Sequence, residues 1–153
     1  MAKTLTFEGL YPYPVDQVWA ALTDPEAIAD WLMPNDFRPE VGHRFTFRTK
    51  PGPGFDGIVH CEVVELEAPR RLAYSWKGGG IDTLVRYRLE PEGTNTRLIM
   101  EHVGFAGIRG LFISRILGSG WKRIIGERLP AVAARVEQGR YRPDPEARPE
   151  PCH

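Results

Sequence analysis

This chain is poor in the residues that build metal, redox and nucleophilic centres. Of its 153 residues, two are cysteine (Cys61 and Cys152) and four are histidine (His43, His60, His102 and His153). Cys61 falls in an apolar, strand-like stretch and Cys152 in a polar tail, which argues against a structural disulfide and fits a reducing, cytoplasmic compartment. The histidines lack metal-ligand spacing, and Cys152-His153 is too short and too terminal for a site, so no metal or other cofactor is expected. Nor is there a surplus of charge: Lys+Arg and Asp+Glu stand at 20 each. General binders of nucleic acid or of anionic membranes need a basic excess, so neither nucleic acid nor membrane insertion is expected, though a local basic patch stays open. No apolar run approaches the roughly 18 residues of a membrane span, and Met1 to Gly9 lacks the apolar segment of a signal peptide. A Gly-x-Ser-x-Gly elbow is absent, Ser75, Ser114 and Ser119 have no base nearby in sequence, and Gly78-Gly79-Gly80 is not followed by the Lys-Ser/Thr of a phosphate loop.

What is present is periodicity. From Gly118 to Gly139, Trp121, Ile125, Leu129, Val132 and Val136 recur at steps of four, four, three and four, one face of an α-helix. Ser119 is a candidate cap and Gly139 a candidate stop. Pro130 lies inside this stretch and predicts a bend, because it has no N–H and its ring presses on the carbonyl of Gly126. Near the front, Val15, Val18, Trp19 and Leu22 share a helical face after Pro14. Asp24-Pro25 then opens a second short helix with Ile28, Trp31 and Leu32 on its apolar side. Most of the remainder alternates with period two. Lys3–Tyr13 is a first strand, followed by Gly42–Thr49, Phe55–Leu66, Arg71–Lys77, Asp82–Leu89 and Thr96–Val103, all joined by turns. Short connections demand a mostly antiparallel meander with one dry face, and the striped helix is the element long enough to cover it. Ile108, Leu111, Phe112, Arg115 and Ile116 have helical spacing between glycines, which predicts a short helix or flap over Gly104–Gly118. The expected organisation is one domain, residues 1–140, with a disordered Pro-rich tail at 141–153.

The element order and several local sequences resemble the START-like, or SRPBCC, superfamily. The carriers are Val15-Asp-Gln-Val-Trp-Ala-Ala-Leu-Thr-Asp-Pro-Glu running to Trp31, Glu62-Val-Val-Glu-Leu before Pro69, and Arg71-Leu-Ala-Tyr-Ser-Trp. Gly93-Thr-Asn-Thr-Arg-Leu with Glu101-His102, Gly104-Phe105 and Gly120-Trp121 complete the set, which spans roughly residues 3 to 138. The nearer resemblance is to the branch named after the activator of the 90-kilodalton heat-shock chaperone ATPase, which is related to polyketide cyclases. It implies an α+β helix-grip fold: a six-stranded curved antiparallel sheet wrapped around a long C-terminal helix, with two short helices after the first strand. Members bind lipids or other hydrophobic small molecules in a cavity between sheet and helix; some are cyclases, and a few bind chaperones.

On that resemblance, residues from different elements converge on a ligand pocket: Trp31, Phe45, Phe47, Ile58, Tyr74, Trp76, Val85, Tyr87, Met100, His102, Trp121 and Ile125. Their aromatic rings and the polar tips of Tyr and Trp suit a mostly apolar ligand with a few hydrogen bonds. A filled core is the competing reading for each of them. Leu111 and Phe112 stand either as a gate or as core packing. His102 shares a face with Leu98 and Met100, so it is either a satisfied core histidine or a general base. His60 and Glu62 share a face with Ile58 and Val64. They form a pocket acid–base pair if that face is concave and are solvated if it is convex, and a bulge near Gly57 would invert the assignment. Three functions follow: binding of a small hydrophobic or aromatic molecule, a cyclase- or hydrolase-like enzyme using His102 or His60 and Glu62, and co-regulation of a chaperone ATPase. A homodimer could form through an edge strand or the Leu111–Phe112 segment.

Overall fold

Alternating side chains become a sheet because each strand has one apolar row to bury. In the computed structural model, which describes residues 3–143, the order is β1 (Lys3–Tyr11), α1 (Val15–Thr23), α2 (Pro25–Trp31), β2 (Arg44–Arg48), β3 (Ile58–Glu67), β4 (Arg71–Gly78), β5 (Ile81–Glu92) and β6 (Asn95–Phe105). α3 (Gly107–Arg123), a π turn (Ile124–Arg128), α4 (Leu129–Ala133), β7 (Val136–Glu137) and β8 (Arg140–Tyr141) follow. β2 to β6 form an antiparallel meander, and β1 pairs with β6 to close the order β1-β6-β5-β4-β3-β2. This is the expected α+β helix-grip architecture. Asp24 caps α2 by accepting the Glu26 N–H at 2.9 Å, with Pro25 as first residue. Among the described residues no helix is long and apolar enough to cross a membrane.

The inner rows of β4, β5 and β6 are those the alternation predicts. Leu72, Tyr74 and Trp76, then Val85, Tyr87 and Leu89, then Leu98, Met100 and His102 are all buried. Strand β3 corrects the expectation for Ile58. Val59, Cys61 and Val63 are buried there, while Ile58, His60 and Glu62 lie on the outer face. The register shifts between Val63 and Glu65, so the irregularity sits at Val64 rather than near Gly57, and only Leu66 beyond it rejoins the inner row opposite Leu72.

The C-terminal helix also departs from its expected bounds. It starts at Gly107, so Gly104–Gly118 is no separate flap, and Ser119 is an exposed mid-helix residue rather than a cap. It ends at Ala133. Val136 is buried in a hairpin whose turn, Gln138-Gly139, has φ of 52° and 77° at its two central positions, the left-handed pair that a tight hairpin needs. Tyr141 pairs with Val136, is buried, and donates its hydroxyl to the Asp30 carboxylate, so the ordered domain runs past residue 140. The remainder of the expected tail, with Cys152 and His153, lies outside the described residues.

Pro130 acts through the π turn. The Leu129 N–H bonds the Ile124 carbonyl, five residues back. In that register the Ile125 carbonyl awaits an N–H from position 130, which proline lacks. The Tyr11 hydroxyl supplies the missing donor, at 2.6 Å and buried. The tyrosine thus ties the first strand to the widened turn. Tyr11→Phe strands a buried carbonyl and is expected to cost about 1–3 kcal/mol, read by urea unfolding. In a Pro130→Ala background, where position 130 regains its N–H, that cost should shrink; an unchanged cost would refute the pairing.

Candidate functional site

The centre of the molecule is filled. Trp31, Phe45, Phe47, Tyr74, Trp76, Tyr87 and Trp121 are each at most 4% exposed, and they touch edge to face or tilted. Trp31 meets Tyr87 at 6.1 Å, Phe45 meets Tyr74 at 5.3 Å and Trp76 meets Trp121 at 5.8 Å between ring centres. Val85, Met100 and Ile125 are buried in the same cluster. The polar tips expected to meet a ligand are used internally. Tyr74 and Tyr87 join hydroxyl to hydroxyl at 2.8 Å, and burial pushes both phenols above their ordinary values. Trp31 Nε1 donates to the Ala21 carbonyl at 2.8 Å.

His102 is held by a chain of bonds with one consistent proton assignment. Trp121 Nε1 can only donate, and it reaches His102 Nδ1 at 3.0 Å, so Nδ1 is unprotonated. The ring proton then sits on Nε2 and is donated to Thr83 Oγ1 at 2.7 Å. Thr83 in turn donates to the Trp76 carbonyl at 2.8 Å. Both ring nitrogens are occupied, and burial holds the imidazole pKa down to about 3. His102 is therefore a neutral structural link, and it has no nitrogen free to act as a base. His60 and Glu62 do not form a pair either. They lie on the outer face of β3, where Glu62 meets Arg44 at 3.3 Å, and no hydrogen bond joins them. The cleft beside them, about 450 Å³, is lined by Asp36, Arg44, His60, Glu62, Ser75 and Lys77. It is a charged patch on the solvent face of the sheet.

A second recess, about 440 Å³, opens at one end of the sheet–helix interface. Its walls come from the β2–β3 loop (Gly52, Pro53, Gly54, Phe55), the β4–β5 connection (Gly78, Gly79) and α3 from Arg109 to Leu117 (Arg109, Phe112, Ile113, Ile116, Leu117), with Val59, Trp76 and Ile81 from the strands. Of the expected pocket residues, only Trp76 lines it; of the expected gate, Phe112 lines it and Leu111 does not. Trp76 is the partition. Its ring meets Phe47, His102 and Trp121, and it also lines the recess. Among the described residues every sealed side-chain nitrogen and oxygen has a hydrogen-bond partner. The Trp76 indole N–H has none, so it is not sealed within the core, and Trp76 is the one of these rings that lines the recess. Of the residues that sequence reasoning missed, Phe55 sits in the β2–β3 loop, Val59 and Ile81 in strands β3 and β5, and Arg109, Ile113 and Leu117 along α3. Arg109 lies in the glycine-bounded stretch Gly107-Ile-Arg-Gly at the start of α3.

Sheet, grasping helix and end recess together define a START-like helix-grip domain. Within that class the chain belongs to the family described as Activator of Hsp90 ATPase homolog 1-like protein, whose model matches residues 12–134. It is similar to the crystal structure of protein MLL2253 from Mesorhizobium loti, at 32% identity and a TM-score of 0.79 over 88% of this chain and 99% of that one. CalU16 from Micromonospora echinospora matches at 27% identity and a TM-score of 0.72, over 94% and 70% of the two chains. DynU16, a protein in the dynemicin biosynthetic locus, matches at 25% and 0.70; this chain is covered over 90% and spans about half of that one, 49%. Among curated proteins nothing matches.

The neutral His102 predicts a pH signature. Its pKa falls from the usual 6.5 to about 3 on folding, so the unfolded chain takes up this proton first. The contribution to stability is full above about pH 6.5 and declines as the pH drops toward 3, by at most about 1.4 kcal/mol per unit. Unfolding free energies at about pH 6.5 and about pH 5 should differ by roughly 2 kcal/mol from this group. His102→Gln should lack that component of the slope, and a slope that survives intact would remove His102 as its source.

Proposed function

We propose that this protein binds a small, mostly apolar or aromatic molecule in the end recess between α3 and the β2–β3 and β4–β5 loops. The observation that carries this reading is the recess itself. At about 440 Å³ it has the size of a ligand pocket. It is lined by Phe55, Trp76, Ile113 and Leu117, and it lies beside a core that is otherwise filled. The occurrence of DynU16 in a biosynthetic locus supports a small-molecule role by analogy only. Catalysis by His102 or by His60 with Glu62 loses its residues, since the first is saturated and the others face away from the recess. The family's name raises co-regulation of a chaperone ATPase, which no feature of the recess favours. A cytoplasmic setting is part of the proposal.

The neutral fluorophore N-phenyl-1-naphthylamine should show saturable enhancement on titration with the protein. Ile113→Trp fills the recess from α3 and should weaken that binding by about tenfold or more, equivalent to about 1.4 kcal/mol. Val64→Trp, on the exposed face of β3, should leave it unchanged. Absence of saturable binding, or equal binding by Ile113→Trp, would contradict the assignment.

A further inference from the structure

Arg109 lies across the mouth of the recess. Its Nε donates to the Gly79 carbonyl at 2.7 Å and its Nη2 to the Gly54 carbonyl at 3.3 Å, so one guanidinium bridges two of the loops that line the recess. Both loops are shaped to admit it. A Cβ at Gly80 would stand 2.3 Å from Arg109 Nε, and one at Gly54 would stand 2.8 Å from Nη2. Both glycines have positive φ, of 87° and 71°, so a side chain there meets backbone strain as well as the guanidinium.

Two of the five N–H donors of Arg109 are used on these carbonyls. The remaining three, including both on Nη1, make no hydrogen bond to the described residues. The charge is also unpaired: no described carboxylate lies within 4.0 Å of it, and the first turn of α3 has no acidic residue. Elsewhere on the surface arginines do find carboxylates, as Arg97 does with Glu92 at 2.6 Å. The recess contains no acidic side chain; its lining side chains that carry a donor are those of Thr49, Trp76 and Arg109. An apolar hollow with a single fixed cation at its rim and donors within it is complementary to a molecule with an apolar body and one anionic, acceptor-only head.

We propose that the recess selects an amphiphilic carboxylate, an alkyl or aryl acid whose head docks on the free edge of the Arg109 guanidinium while its body lies against Phe55, Trp76 and Ile113. This rests on the reading of the recess as a ligand pocket and adds the class of ligand. Because Arg109 is exposed, part of the attraction is screened, and the gain it confers is modest and salt-dependent.

The test is displacement of N-phenyl-1-naphthylamine by decanoate and by decan-1-ol, near neutral pH, in the wild type, Arg109→Gln and Arg109→Lys. Arg109→Gln should weaken decanoate about three- to fivefold and change decanol by no more than about 1.5-fold. Arg109→Lys, which keeps the charge without the fork, should fall between. Added salt should weaken decanoate in the wild type and leave decanol unmoved. If Arg109→Gln weakens both compounds alike, Arg109 is only a strap between loops and the proposal fails. It fails equally if decanoate is unaffected, or if neither compound displaces a fluorophore that binds well. If the fluorophore itself does not bind, the pocket reading falls with it, which separates the two failures.

Discussion

The arrangement around the recess depends on a neutral imidazole. His102 accepts from α3 through Trp121, donates to β5 through Thr83, and through Thr83 fixes the main chain of β4 at Trp76. In a dry core few side chains can present an acceptor and a donor on opposite sides of one small ring. Protonation would turn Nδ1 toward Trp121 as a second donor facing a donor, so the chain of bonds exists in one charge state. The surrounding rings of Trp76, Phe105 and Trp121 enforce that state by excluding water. What His102 fixes is the position of Trp76, and Trp76 separates packed core from open recess.

The long helix serves two purposes along its length. Its second half, with Trp121, Ile125, Leu129 and Val132, plugs the concave sheet, while its first half, packed on Phe105 and Leu5 through Gly110 and Gly118, forms a wall of the recess through Phe112, Ile113, Ile116 and Leu117. The plugging half passes through the π turn, where proline removes a donor and Tyr11 returns one from β1. Here the aromatics occupy the centre, and the open volume remains where α3 approaches two glycine-rich loops.

Fold and site differed in how far they could be read from the sequence. In β4 and β5 the charges gather on one row, Arg71 and Lys77 and then Asp82, Arg86 and Arg88, which marks the other as the buried face, while β6 was read from Leu98 and Met100 although Ile99 and Val103 share its other row. In β3 both rows carry aliphatic residues, Ile58 and Val64 against Val59 and Val63, and the register shift beside Val64 changes the parity within the strand. That is why Ile58, His60 and Glu62 were open to assignment to the wrong face. Large aromatics were rightly brought together, but composition does not distinguish rings that line a hollow from rings that fill it. The polar tips decide: Tyr74, Tyr87, Trp31 and Trp121 all bond within the protein, and only Trp76 leaves its N–H unbonded. Arg109 and Phe55 stand in loops and first turns, where no periodicity announces a role and position is set by tertiary contacts with glycine backbones.

The most direct measurement is the response of the tryptophan indole N–H signals in a ¹H–¹⁵N NMR titration with a neutral apolar ligand. If Trp76 is the wall between a filled core and an end pocket, its indole signal shifts or broadens on saturation. The signals of Trp31 and Trp121, bonded to Ala21 and His102, stay close to their free positions. Large shifts at Trp31 and Trp121 with little change at Trp76 would place the ligand in the centre of the sheet and contradict this account.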